Sequence, residues 1–206
     1  MTPDRRIAPF ASAARTFARQ VADIADDQWD GPGLGEWDLR SLVGHTSRSL
    51  ITVSTYLQTT AEREDIATPE EYYVRVNASV LGIDSSAIVQ RGRQAGIDLG
   101  DDPVAAVDGL VERVLGELAV AGDPLIQVIG GLGIRLHSYL PTRTFELAVH
   151  GLDIARAASL SFTLPEDVLA DAAVLATRVS VVMGQGEAVL LALTGRAELP
   201  PSFSVV

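Results

Sequence analysis

The chain has 206 residues, 47% of them hydrophobic and 21% charged, enough for one domain of good size with its own core. Its net charge of −11, with no clustering of the cations, argues against nucleic acid or an anionic membrane surface as partner. It has no Cys and no Lys, which excludes disulfides, thiolate metal ligands, a protein thiol nucleophile and lysine Schiff-base chemistry; if thiol chemistry occurs, a small molecule must bring the sulfur.

In chain order, Asp4 to Asp27 reads as a helix with Ile7, Phe10, Ala14, Phe17, Val21 and Ile24 as its apolar stripe. A Gly/Pro loop, DQWDGPGLGEW, comes next and carries both tryptophans, Trp29 and Trp37, read as core anchors. Asp38 is a good N-cap for a second helix, to about Ala61, that buries Leu39, Leu42, Val43, Leu50, Val53 and Leu57. Thr68-Pro69-Glu70-Glu71, a cap followed by Pro and acids, starts a third helix expected to run to about Ile97. Asp101-Asp102-Pro103 starts a fourth, to about Ala121. Residues 122–137 are a Gly-rich connection in which only Leu125 to Ile134 hints at strand alternation. A helix over about 138–158, another over Pro165 to Val182 and a short one over Glu187 to Leu193 complete the chain before the tail GRAELPPSFSVV. The pattern is all-α: an up-and-down bundle, residues 1–160, with additional C-terminal helices in 161–206 packed on it as part of the same domain.

The most informative segment is RTFELAVHGLDIARA, residues 143–157. Arg143, Glu146, His150 and Asp153 stand at i, i+3, i+7 and i+10, within an arc of about 80° on a helix. Phe145, Val149 and Leu152 flank this column on one side, Leu147 and Ile154 on the other, while Ala148 and Ala155 point away. A polar stripe with apolar edges points into a core, where unpaired charge is costly. Glu and His at i, i+4 can reach one metal ion.

The chain has only three histidines. His45 sits roughly 100° from the centre of its helix's apolar stripe, in a column with Ser49 and Thr52, a placement that suits reaching to a neighbouring helix. His45, Glu146 and His150 together make a His₂Glu set with an open position, the pattern of catalytic zinc; the ligand types also suit nickel or iron. Taken singly, a Glu–His i, i+4 pair is common on helix surfaces and a lone helical His is more often a satisfied core residue. Asp153 reads as the acceptor that fixes the tautomer of a ligand His from outside the coordination sphere. Arg143 either binds an anionic ligand or pairs with Glu146 or Asp153. His137 matches no motif and reads as a loop histidine without a role, and GGLG at 130–133 lacks the spacing and strand of a phosphate loop.

W-D-L-R-S-L-V-G-H at 37–45, R-T-F-E-L-A-V-H-G-L-D-I at 143–154 and the late L-L-A-L-T-G-R at 190–196 resemble the mycothiol-dependent maleylpyruvate isomerase family, within the DinB-like four-helix metal-binding superfamily. The resemblance spans nearly the whole chain. It implies a DinB-like four-helix bundle and a divalent metal, usually taken as zinc, at His45, Glu146 and His150. The founding isomerase carries a second, C-terminal α/β domain that helps form its substrate site, and the expectation here is the N-terminal-type domain without it. The metal set therefore carries over, and maleylpyruvate isomerisation does not.

The resulting expectation is a metal- and mycothiol-dependent isomerase or S-transferase acting on a small electrophile. The rival is a non-catalytic metal-binding DinB-like module. The partners expected are a small-molecule electrophile and a low-molecular-weight thiol, with a homodimer left open. No apolar run approaches the roughly 20 residues that span a bilayer, and the start MTPDRRIAPFASAARTF lacks a signal-peptide core, so a cytoplasmic location is expected.

Overall fold

The structure is a computed structural model and describes residues 4–76 and 85–205. Helices α1 (Asp4–Ala22), α2 (Leu39–Leu57), α5 (Pro103–Ala121) and α6 (Leu136–Ala157) form a four-helix bundle: α1 packs on α5 and α6, and α2 packs on α5 and α6. Helix α4 (Ser85–Asp98) lies along α2, α3 (Pro69–Arg75) contacts α6, α7 (Glu166–Val182) covers α6, α1 and α3, and α8 (Gly186–Leu193) packs on α7. No helix of the described residues is long and apolar enough to cross a membrane.

The apolar stripes read for the first two helices enter the core, with Ile7 and Leu57 only partly buried, and an apolar face of α5 that was not read from the sequence completes it. Phe10, Ala14, Phe17 and Val21 of α1, Leu39, Leu42, Val43, Leu50 and Val53 of α2, and Val107, Val114 and Leu118 of α5 are all buried. Each such Val, Leu or Phe contributes about 1.5–3 kcal/mol of transfer free energy. The expected caps also form: Asp38 accepts from Ser41 N at 2.7 Å, Thr68 from Glu71 N at 3.3 Å and Asp102 from Ala105 N at 2.9 Å. Each satisfies one of the orphan donors of a first turn.

Three boundaries differ from expectation. Helix α1 ends at Ala22 and a 3-10 turn covers Asp26–Gln28; α2 ends at Leu57, where the Gln58 N–H folds back on Thr55 O. The third helix is not continuous to Ile97: it stops at Arg75, Val76 has φ −110° and ψ 17°, and helix resumes at Ser85. The stretch 77–84, expected to be helical, lies outside the described residues. β-Branched residues at positions 74 and 76 have lower helix propensity, consistent with the helix ending here.

Two glycines set the α2–α4 distance. A Cβ on Gly44 would overlap the backbone of Ala95 and Gly96, and one on Gly96 would stand 2.9 Å from Arg40 O. The helices therefore touch backbone to backbone, just beside His45.

The hinted alternation at 125–134 is a small hairpin, β1 (Leu125–Gln127) antiparallel to β2 (Gly133–Arg135), in register Ile126↔Ile134, both buried. Gly130 and Gly131 turn it with φ of 76° and 74°, a region that favours Gly. The hairpin delivers the chain into α6. Leu136 N donates to Pro124 O at 3.0 Å, and His137 N donates to Asp123 Oδ1 at 2.8 Å.

Candidate metal and thiol site

Helix α6 is buried on most of its circumference, because α1, α2, α3 and α7 all pack on it. Ala148 and Ala155, on the side away from the polar column, are as buried as Phe145 and Leu147. Leu152, expected at the buried edge of the column, is instead exposed, because the bundle covers that edge only as far as Val149.

The column itself is a chain of partners. Glu146 Oε2 lies 3.4 Å from His150 Nε2, and His150 Nδ1 lies 3.3 Å from Asp153 Oδ2. Arg156 Nη1 approaches Asp153 Oδ1 at 3.6 Å from the solvent side. Tyr73 of α3 donates its hydroxyl to Glu146 Oε1 at 3.1 Å. Side chains are only 12% exposed at Arg143, 15% at His150, 17% at Asp153 and 24% at Glu146, so these charges interact through protein more than through water.

His45 reaches the column from α2. Its ring centroid is 5.0 Å from that of His150, edge to face at 84°, and Trp37 packs on it at 4.4 Å with a 31° tilt. His45 Nδ1 is buried with no hydrogen-bond partner among the described residues. The two imidazoles sit in opposite electrostatic settings. Burial, then the charge of His150, lowers His45 to about 4, so its ring is neutral at pH 7. Burial also disfavours the His150 cation, but hydrogen bonds to Asp153 and Glu146 outweigh it and raise His150. Burial alone would raise Glu146; the His150 hydrogen bond and the Arg143 charge instead hold it below the ordinary carboxylate range.

Arg143 pairs with Glu146, though only at 4.0 Å, and not with Asp153. Its guanidinium lies over the rings of Tyr139 at 5.0 Å and Tyr72 at 5.3 Å. Its Nε donates to Thr142 Oγ1 at 3.0 Å, while neither terminal nitrogen has an acceptor within hydrogen-bond distance among the described residues.

The structure thus brings His45, Glu146, His150, Asp153 and Arg143 together. Among the described residues no group of three or more His, Asp or Glu side chains is arranged, as it stands, to hold a metal ion, and Glu146 and His150 face each other. His137 is not a loop residue: it occupies the first turn of α6, its carbonyl accepts from Arg6 at 3.0 Å, and its ring faces Asp123 at 3.5 Å. Its place is structural, away from the column. Trp29 is a buried anchor under Arg40, as expected, but Trp37 is a half-buried wall of the site. Sequence reasoning missed Trp37, Tyr72, Tyr73 and Tyr139. Tyr139 carried a usable signal, standing four residues before Arg143 on the same helix; α3 and its tyrosines carried none, because only the tertiary fold lays that helix against α6.

The sequence pattern described as Mycothiol maleylpyruvate isomerase N-terminal domain matches residues 10–155, well over half of the chain and all of the site, ending within α6. No curated protein and no solved structure matches the chain. A helical bundle with His45 on one helix and Glu146 and His150 on another, matched over that length, belongs to the mycothiol maleylpyruvate isomerase N-terminal domain family.

Proposed function

We propose that the chain holds a divalent metal, zinc by preference, between α2 and α6, and works with mycothiol as a thiol transferase or isomerase on a small electrophilic substrate. The observation that carries this reading is the meeting of His45, Glu146 and His150 across two helices, with His45 Nδ1 buried and unsatisfied. In this reading residues 1–160 form the metal-binding bundle and 161–206 are an extension packed on it.

The residues fit such a group. Two imidazoles and a carboxylate leave a position open, and the neutral ring of His45 is in the form that ligates. Asp153 holds His150 by Nδ1 and so leaves Nε2 as its donor atom. When bound, the metal lowers the pKa of a coordinated thiol and so supplies a thiolate at neutral pH. The chain's residues do the rest. Tyr73 orients Glu146 through its hydroxyl, Trp37 keeps water from His45, and the two terminal nitrogens of Arg143 receive an anionic group of thiol or substrate.

Metal analysis of the purified protein tests the site: about one divalent metal per chain is expected, lost in a His45→Ala, His150→Ala double variant and kept in His137→Ala. Full occupancy in the double variant overturns the site. Adding mycothiol to the cobalt form should produce a cobalt–thiolate band in the near ultraviolet, and a des-thiol analogue should not. If mycothiol gives neither that band nor a thermal shift at millimolar concentration, the metal-binding module without turnover is the better account.

A further inference from the structure

His150 is oriented by a hydrogen bond from its Nδ1 to Asp153, but among the described residues His45 Nδ1 has no such support and is buried and unpaired. An imidazole ring turns about a broad, roughly two-fold χ2 potential, so a ring without a polar tether must be held by packing. The packing is Trp37, whose ring centroid stands 4.4 Å from that of His45.

Trp37 is itself fixed from three directions. Its indole Nε1 donates to Val89 O of α4 at 3.0 Å. Its backbone is tied into the preceding turn, N–H to Leu34 O at 3.0 Å and carbonyl to Gly33 N at 2.9 Å. Behind the indole stands Gly92 of α4, where a Cβ would come within 2.5 Å of the ring atoms Cε2 and Nε1. One turn further along α4, Gly96 meets Gly44, the residue before His45, backbone to backbone. The same glycine-lined face of α4 therefore sets both the position of the indole and the approach of the helix that bears His45.

We propose that Trp37, wedged by Gly92 of α4, is the positioning residue that holds the His45 ring in its ligating orientation. The inference rests on the reading of His45 as a ligand. It adds that α4, a helix carrying no ligand, controls the site through the indole.

The test compares wild type with Trp37→Leu, Trp37→Phe and Gly92→Ala as full chains, each checked for folding by circular dichroism. Cobalt(II) affinity and its visible d–d spectrum are measured by competition with a chelator. Trp37→Leu should weaken cobalt binding about 10–100-fold, the range seen when the support of a metal-ligating side chain is lost, and should alter the band shape. Trp37→Phe, which keeps an aromatic face, should recover most of the affinity. Gly92→Ala should move both readouts in the direction of Trp37→Leu with the indole still present. Cobalt affinity and spectrum unchanged in both Trp37→Leu and Gly92→Ala overturn the proposal and leave the metal reading intact.

A second readout needs no metal. In metal-free wild type, ring current from the indole should shift the His45 ring protons upfield of those of His137 in a carbon–proton spectrum, and Gly92→Ala, which keeps the indole but crowds its seat, should change that shift. If wild type binds no cobalt, the metal reading fails and this spectrum alone decides: a His45 signal identical in wild type and Gly92→Ala overturns the positioning role.

Discussion

Replacing Asp153 with Asn removes a charge from one end of the column while keeping its shape. Asp153 Oδ2 lies 3.3 Å from His150 Nδ1, and the two side chains are 17% and 15% exposed. His150 is raised from 6.5 to about 9, a gap of roughly 3 kcal/mol that hydrogen bonds to Asp153 and Glu146 share. The folded value lies above the unfolded one. The contribution of His150 is therefore fully present below pH 6.5 and is lost as pH rises toward about 9. In metal-free protein, Asp153→Asn should cost about 1.5–3 kcal/mol at pH 6, the size of a hydrogen bond to a charged group, and markedly less at pH 10, where His150 no longer carries the charge that Asp153 answers. Urea unfolding in chelator, followed by tryptophan fluorescence at both pH values, measures the two differences. An equal loss at pH 6 and pH 10 would refute the assignment of the charge to this pair. In the metal-loaded protein the same substitution should weaken metal binding about 10–100-fold through the misoriented His150.

Gly44→Ala places a Cβ into the backbone of Ala95 and Gly96, so α2 and α4 must separate; urea unfolding should show a loss of about 1–3 kcal/mol. Tyr73→Phe takes away the hydroxyl that donates to Glu146 Oε1 and should cost about 1.5–3 kcal/mol in the same assay. Arg143→Lys keeps the charge but loses the planar guanidinium between Tyr72 and Tyr139; a loss of about 1–2 kcal/mol, or roughly 2–8 °C in Tm, is expected in a thermal melt. A melt equal to wild type would mean that the rings recognise charge alone.

The sequence alone determined the features that arise from helical period and capping chemistry. The stripes of α1 and α2, the caps Asp38, Thr68 and Asp102, and the spacing of Arg143, Glu146, His150 and Asp153 on one face were readable because each depends on residues within a turn or two. Contacts between elements were not, and the tertiary structure decided them. Nothing local says that Trp37, in a Gly/Pro loop, lies on His45, or that Tyr73 crosses from α3 to Glu146. Nor does it say that Arg143 chooses Glu146 and two tyrosine rings over Asp153. The helix ends at Leu57 and Arg75 also differ from those read from the stripes. Periodicity fixes which way a side chain points on its own helix; only the packed bundle fixes what it meets there.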